Sequence, residues 1–290
     1  MLSFNSIILH SERKKYIFCA IKKNNIKFEN MKTDIRSTER RNFIKSASLA
    51  SAGLLGFHTI QAITDPEQTT TPSLNLPGKL TVVFQGDSIT DAGRDRGHYY
   101  PNDARGMGRG YVFNIVSQIM ATNPTTEWTL YNRGISGNKV YQLADRWKDD
   151  CLQLQPDVLS ILIGVNDFWH KLNGSYKGTV EIYERDLRKL LDDTFRIFPG
   201  VKLILGQPFA VKGGSAITDE WFPEFKGYQE AAARIAKDYK TVWIPYQEVF
   251  DEALKKAPAS YWCPDGVHPS IPGAYLMAEA WIKGFNSLNL

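Results

Sequence analysis

From Leu80 onward, short apolar runs alternate with longer stretches of helical spacing, and few folds accept that order. Leu80–Gln85 (LTVVFQ), Trp128–Asn132 (WTLYN), Val158–Ile163 (VLSILI), Val201–Leu205 (VKLIL) and Val242–Ile244 read as five strands. They are short and mostly rich in β-branched or aromatic residues. Val158–Ile163 is almost continuously apolar, as a central strand buried on both faces should be. Helices are predicted at Tyr111–Ala121, Val140–Leu154, Thr179–Phe198 and Phe222–Tyr239, with two more near Gln247–Lys256 and Gly273–Phe285. Within Val140–Leu154, Leu143, Trp147 and Cys151 recur every four residues on one face. Pro199-Gly200 stops the helix before it. Strand and helix in alternation specify an α/β fold: a five-stranded parallel sheet between two helical layers, α/β/α. Residues 80–290 suffice for one such domain.

The N-terminal region has a different character. Residues 1–62 carry 11 Lys/Arg against 4 Asp/Glu, while the rest of the chain carries 24 against 27. The basic excess thus belongs to the first segment, and the mildly acidic body argues against a nucleic-acid partner. Arg40-Arg41-Asn42-Phe43-Ile44-Lys45 precedes an uncharged run, Ser46–Thr64, rich in Ala, Ser and Gly. A basic stretch, a modest apolar run and a small residue, Ala62, before Pro66 read as an export signal. The twin arginine resembles a Tat signal, the other reading being an ordinary secretory signal with a chance arginine pair. Met31 would give the signal an ordinary length, and Met1 is the alternative start. Residues 63–79, polar and rich in Thr and Pro, read as a linker. No other run reaches the roughly 20 apolar residues of a membrane span, so no stable membrane insertion is expected after processing. An exported product would be periplasmic or extracellular.

In open parallel sheets, sites form beyond the C-terminal ends of the strands. Four blocks lie there. After the first strand comes Gly86-Asp87-Ser88-Ile89-Thr90, a serine placed either as a nucleophile or beside a capping aspartate. After the second comes Gly134-Ile135-Ser136-Gly137-Asn138, whose glycines let backbone N–H groups approach a ligand or simply make a turn. After the third comes Gly164-Val165-Asn166-Asp167, whose asparagine offers an NH₂ donor or an Asx turn. Before the last helix comes Asp265-Gly266-Val267-His268-Pro269, an aspartate placed to orient a histidine three residues on. Other chemistries lack their signatures. There is no G-x-S-x-G elbow, and Gly106–Gly110 follows no strand and lacks dinucleotide-binding spacing. His98 and His170 form no metal-binding pair. Cys151 and Cys263 are either one disulfide or two buried thiols.

Taken in order, GDSIT, SGN, GVND and DGVHP resemble the motif blocks of the SGNH-hydrolase superfamily, the GDSL esterases and lipases. The resemblance covers nearly all of residues 80–285; Ile89 stands where the first block usually has leucine. It implies a flavodoxin-like fold and a serine esterase that needs no metal or other cofactor. It further implies Ser88 as nucleophile, His268 as general base and Asp265 as its orienter. Ser88 N–H, Gly137 N–H and Asn166 would form the oxyanion hole. A small-molecule or glycan ester is the expected substrate. Aromatic and polar residues near the blocks suit stacking on sugar rings, or else ordinary packing; Asp87, Tyr99, Trp169, Trp221 and Trp262 are the candidate substrate contacts. Deacetylation of a carbohydrate is the favoured expectation, by analogy with exported relatives. A lysophospholipase or thioesterase, and a non-catalytic glycan-binding protein on the same scaffold, are the alternatives.

Overall fold

The computed structural model describes residues 76–290; the expected export region 1–62 and most of the linker lie outside the described residues. All five predicted strands form: β1 Lys79–Gly86, β2 Glu127–Asn132, β3 Val158–Leu162, β4 Lys202–Gly206 and β5 Val242–Ile244. They pair in parallel in the order β2-β1-β3-β4-β5. This is the flavodoxin-like order, and its direction of winding reverses between β1 and β3. The two strands at the reversal are the most buried: β1 from Leu80 to Gly86 and all of β3. Ser160 would be out of place in the middle of β3, but its hydroxyl accepts the Trp281 indole N–H at 2.9 Å. Burying a polar atom without that partner would be costly.

Helices cover both faces. On one side α2 (Tyr111–Thr122) packs against the C-terminal α10 (Ile271–Phe285), which also meets α8 (Tyr246–Leu254). On the other, α6 (Val180–Ile197) packs between α3 (Val140–Asp145) and α7 (Glu224–Asp238). The helix α6 begins where Thr179 caps the Ile182 N–H and ends at Phe198, just before Pro199-Gly200.

The structure corrects one predicted element. Val140–Leu154 is not one helix but α3, then α4 (Trp147–Asp150), then a 3₁₀ turn at Leu152–Leu154. The break falls at Arg146, whose ψ of 7° leaves the helical range. Its guanidinium donates to Gln85 Oε1 (3.0 Å), the Arg133 carbonyl (2.8 Å) and Asp150 Oδ2 (2.9 Å), tying this layer to the end of β1. The apolar face survives the break: Leu143, Trp147 and Cys151 are all buried. Three short helices were not predicted: α1 (Ser88–Asp91), α5 (Val165–Leu172) and α9 (Ala259–Trp262). Each begins at, or closely precedes, one of the four blocks.

Candidate active site

The serine enters from β1. Asp87 caps α1 by accepting the Ile89 N–H at 2.9 Å, and Ser88 is the first residue of that helix. The histidine enters from the loop before α10. Gly266 holds φ +87°, a left-handed conformation that a side chain would strain. That turn brings the Val267 and His268 N–H groups onto Asp265 Oδ1, at 2.9 and 2.7 Å. Asp265 Oδ2 then lies 2.6 Å from His268 Nδ1, and His268 Nε2 lies 2.7 Å from Ser88 Oγ. With Nδ1–H donating to the carboxylate, Nε2 is left to accept the serine hydroxyl. Partial burial pushes the Asp265 carboxyl up. The hydrogen bonds from His268 and Val267 outweigh this and hold it below the usual carboxylate range.

The three donors expected for an oxyanion hole are Ser88 N–H, Gly137 N–H and the Asn166 NH₂. Asn166, buried in the first turn of α5, donates one N–H to the Asn138 carbonyl at 3.2 Å and keeps a second. Gly137 N–H donates to no acceptor among the described residues. Ser88 N–H is a first-turn amide, which a helix leaves without an internal partner.

The loop carrying Gly137 is clamped from several directions, by residues that sequence reasoning did not single out. Asp91 Oδ2 accepts both the N–H and the hydroxyl of Ser136, each at 2.9 Å. Arg94 Nε donates to the Gly134 carbonyl at 2.8 Å, and Arg146 Nε to Asn138 Oδ1 at 2.9 Å. Asp167 Oδ1 accepts the Val140 N–H at 3.2 Å. Asp91 and Asp167 sit inside or beside the motif blocks, which was a readable signal; Arg94 and Arg146 had none.

The five candidate substrate contacts separate. The Trp169 ring centroid is 6.5 Å from that of His268, and the ring is partly exposed. Tyr99 is exposed and lies over the Arg133 guanidinium at 4.6 Å. Trp262 is half-buried and donates to the Ala257 carbonyl at 3.1 Å. Two expectations are corrected. Trp221 is 1% exposed, wedged among Phe168, Trp169 and Phe225, so it backs Trp169 rather than offering a face to a ligand. Asp87 has no exposed surface and serves the helix cap. Cys151 and Cys263 are both free and buried, which decides between the two readings of the cysteines. Among the described residues, no three His, Cys, Asp or Glu side chains gather as a metal site. His170 Nδ1 faces Lys139 Nζ at 2.9 Å, and His98 lies between Asp95 and Asp103. No described helix is long and apolar enough to cross a membrane.

A parallel α/β sheet with serine, histidine and aspartate in hydrogen-bonded series at its C-terminal edge defines a serine hydrolase. The chain belongs to the GDSL-like Lipase/Acylhydrolase family, which matches residues 84–276, and it is a serine ester hydrolase. It is 32% identical over 206 residues to an acetylxylan esterase of Geobacillus stearothermophilus, covering 70% of this chain and 92% of that one. A crystal structure of the Geobacillus stearothermophilus acetylxylan esterase superimposes with a TM-score of 0.63 at 30% identity, over 72% of this chain and 95% of the other. A Parabacteroides merdae protein described as a GDSL-like lipase is similar at 48% identity and TM-score 0.71, over 73% of this chain and 98% of its own.

Proposed function

We propose that this enzyme removes acetyl groups from an O-acetylated carbohydrate by way of an acyl-serine. The observation that carries the chemistry is the continuous series from Ser88 Oγ through His268 to Asp265, at 2.7 and 2.6 Å. His268 Nε2 takes the hydroxyl proton as Ser88 Oγ attacks the ester carbonyl. Asp265 holds the tautomer and stabilises the imidazolium. The tetrahedral oxyanion receives hydrogen bonds from Ser88 N–H, Gly137 N–H and Asn166 NH₂. Collapse breaks the C–O bond to the alcohol, which leaves with the proton from His268. Water, deprotonated by His268, then attacks the acyl-serine, and acetate departs. Loss of one oxyanion donor typically costs about 10²–10³ in kcat.

The carbohydrate half of the reading rests on Trp169. The alcohol must leave beside His268, and the ring beside His268 is a partly exposed indole backed by the buried Trp221. An indole held rigidly at that point suits the apolar face of a sugar ring. The acetylxylan esterase relative supports the same substrate class. The reading includes export directed by residues 1–62, on the strength of the twin arginine and the uncharged run behind it.

The test is kcat/KM on p-nitrophenyl esters from acetyl to dodecanoyl, with acetate release from acetylated xylan measured in parallel. The expected result is a steep preference for acetyl, release from xylan, and loss of both in Ser88→Ala with the fold intact. A maximum at long chains would replace the carbohydrate reading with the lipid or thioester one. Full turnover by Ser88→Ala would remove the nucleophile assignment.

A further inference from the structure

Two carboxyl groups lie under the site with no solvent and too few partners. Asp87 precedes Ser88 and Asp167 follows Asn166, so each adjoins a group of the catalytic machinery. Asp87 is 0% and Asp167 1% exposed. Each commits Oδ1 to a backbone amide, that of Ile89 at 2.9 Å and that of Val140 at 3.2 Å. Oδ2 of each is buried and meets no donor among the described residues. Burying an ionised carboxylate with an unpartnered oxygen costs far more than burying the neutral carboxyl, so the proton is favoured. Burial pushes both groups up to about 7, and the charge of Asp87 opposes ionisation of Asp167.

The surroundings hold little that would favour charge on the pair. Asp87 faces His268, Asp91, Tyr111 and Tyr183; Asp167 faces Lys139, Asp87, Tyr176, Tyr183 and Tyr228. Among the described residues the one side-chain ammonium facing the pair, Lys139, is already turned to His170 Nδ1 and the Gly137 carbonyl.

We propose that Asp87 and Asp167 form a buried proton-holding pair that positions the serine helix and the oxyanion loop, and whose ionisation limits turnover at alkaline pH. Neutral, the carboxyls act as acceptors only through Oδ1, fixing α1 and the start of α3. Losing a proton puts a negative charge behind Asn166, where the transition state develops one of its own. Asp87 also faces His268, whose imidazolium its charge would favour, so its two effects oppose each other. Asp167, next to the asparagine, is the cleaner probe. Both are positioning residues, since neither touches substrate.

The inference rests on the Ser88 and His268 reading, and the experiment separates the two. The kcat for p-nitrophenyl acetate is measured from about pH 6 to about pH 9 in the wild type and in Asp167→Asn, with Ser88→Ala subtracted at each pH. The amide keeps the acceptor for Val140 N–H and cannot ionise. The wild type is expected to lose on the order of tenfold across the alkaline limb, and Asp167→Asn to lose less than about threefold. Equal limbs in the two proteins, or a flat wild-type profile, would overturn the inference while leaving the nucleophile standing. An active Ser88→Ala would overturn the underlying reading instead. Infrared difference spectra of the wild type supply a readout independent of turnover and of how well the variant folds. A protonated-carboxyl C=O band should disappear as pH rises through about 7. Its absence at the lower pH would mean that no proton is held, and would overturn the proposal.

Discussion

Replacing Asp265 by asparagine tests the orientation of His268 with almost no change of shape. Oδ1 of Asp265 accepts two backbone N–H groups, at 2.9 and 2.7 Å, and only an oxygen can do so. The amide oxygen must therefore stay there. Its NH₂ group then occupies the Oδ2 position, 2.6 Å from His268 Nδ1. Two donors cannot face each other, so Nδ1 gives up its proton and Nε2 carries one. Nε2 then donates to Ser88 Oγ and cannot receive its proton. In serine proteases the same exchange costs about 10⁴ in kcat. Here the side chains of His268 and Asp265 are 44% and 34% exposed, so water can partly restore the productive tautomer. The expected loss in kcat is therefore between about 10² and 10⁴, or roughly 3–5 kcal/mol of transition-state stabilisation. The assay is initial rates on p-nitrophenyl acetate against the Ser88→Ala blank, with thermal melting to show an unchanged fold. A loss below about threefold, with the fold intact, would refute the reasoning: the tautomer would then be set by something other than the aspartate.

Two further outcomes follow from packing and from linkage. Gly134→Ala would drive its Cβ into the backbone of Thr90 and Asp91, displacing the loop that carries Gly137; a loss of about 1–3 kcal/mol in urea unfolding and a more than tenfold fall in kcat are expected, and an unchanged kcat would dismiss the clamp. Asp167 is raised from 3.8 to about 7 on folding, so the folded protein holds a proton that the unfolded chain releases in this window, and stability falls as pH rises between those values. Asp265 is lowered, and its contribution is present above the unfolded value and fades as pH falls through the folded one. Urea midpoints for wild type and Asp167→Asn should therefore diverge as pH rises from about 5 to about 8, the variant losing less; parallel curves would mean that Asp167 is ionised in the fold.

Where the sequence was legible, a local rule and the global fold agreed. The five apolar runs became the five strands because each combines β-forming residues with the short length of a buried parallel strand. The four blocks fell at strand ends because a parallel sheet presents its C-terminal edge to one crevice. The helix break at Arg146 was not legible. Leu143, Trp147 and Cys151 keep helical spacing across it, and what interrupts the backbone is a guanidinium reaching residues far away in sequence, Gln85 and Arg133. Aromatic residues misled for the converse reason. Trp169 follows the third block and Trp221 lies in the loop segment after β4, and nothing local distinguishes the ring that borders the crevice from the ring that supports it. That choice is made by Phe168 and Phe225, packed around Trp221 from two different helices.

The same distinction explains why the residues that do chemistry were easier to find than those that hold them. A nucleophile, a base and its orienter need particular atoms at the crevice, so their residue types announce themselves at strand ends. The clamp on the oxyanion loop needs only acceptors and donors within reach. Asp91, Arg94, Arg146 and Asp167 supply these from α1, the loop after it, the junction of α3 with α4, and α5. Such a clamp has a physical cost. Aligning donors on an oxyanion before it forms requires a stiff, buried polar floor, and burial leaves some of that floor unpartnered, as at Asp87 Oδ2 and Asp167 Oδ2. On the proposed reading, the hydrogen-bonded order of the loop around Gly137 and the protonation beneath it are two consequences of one arrangement. A substitution that relieves the buried carboxyls would be expected to loosen the loop or to widen the pH range, according to whether it removes the Oδ1 acceptor or only the charge.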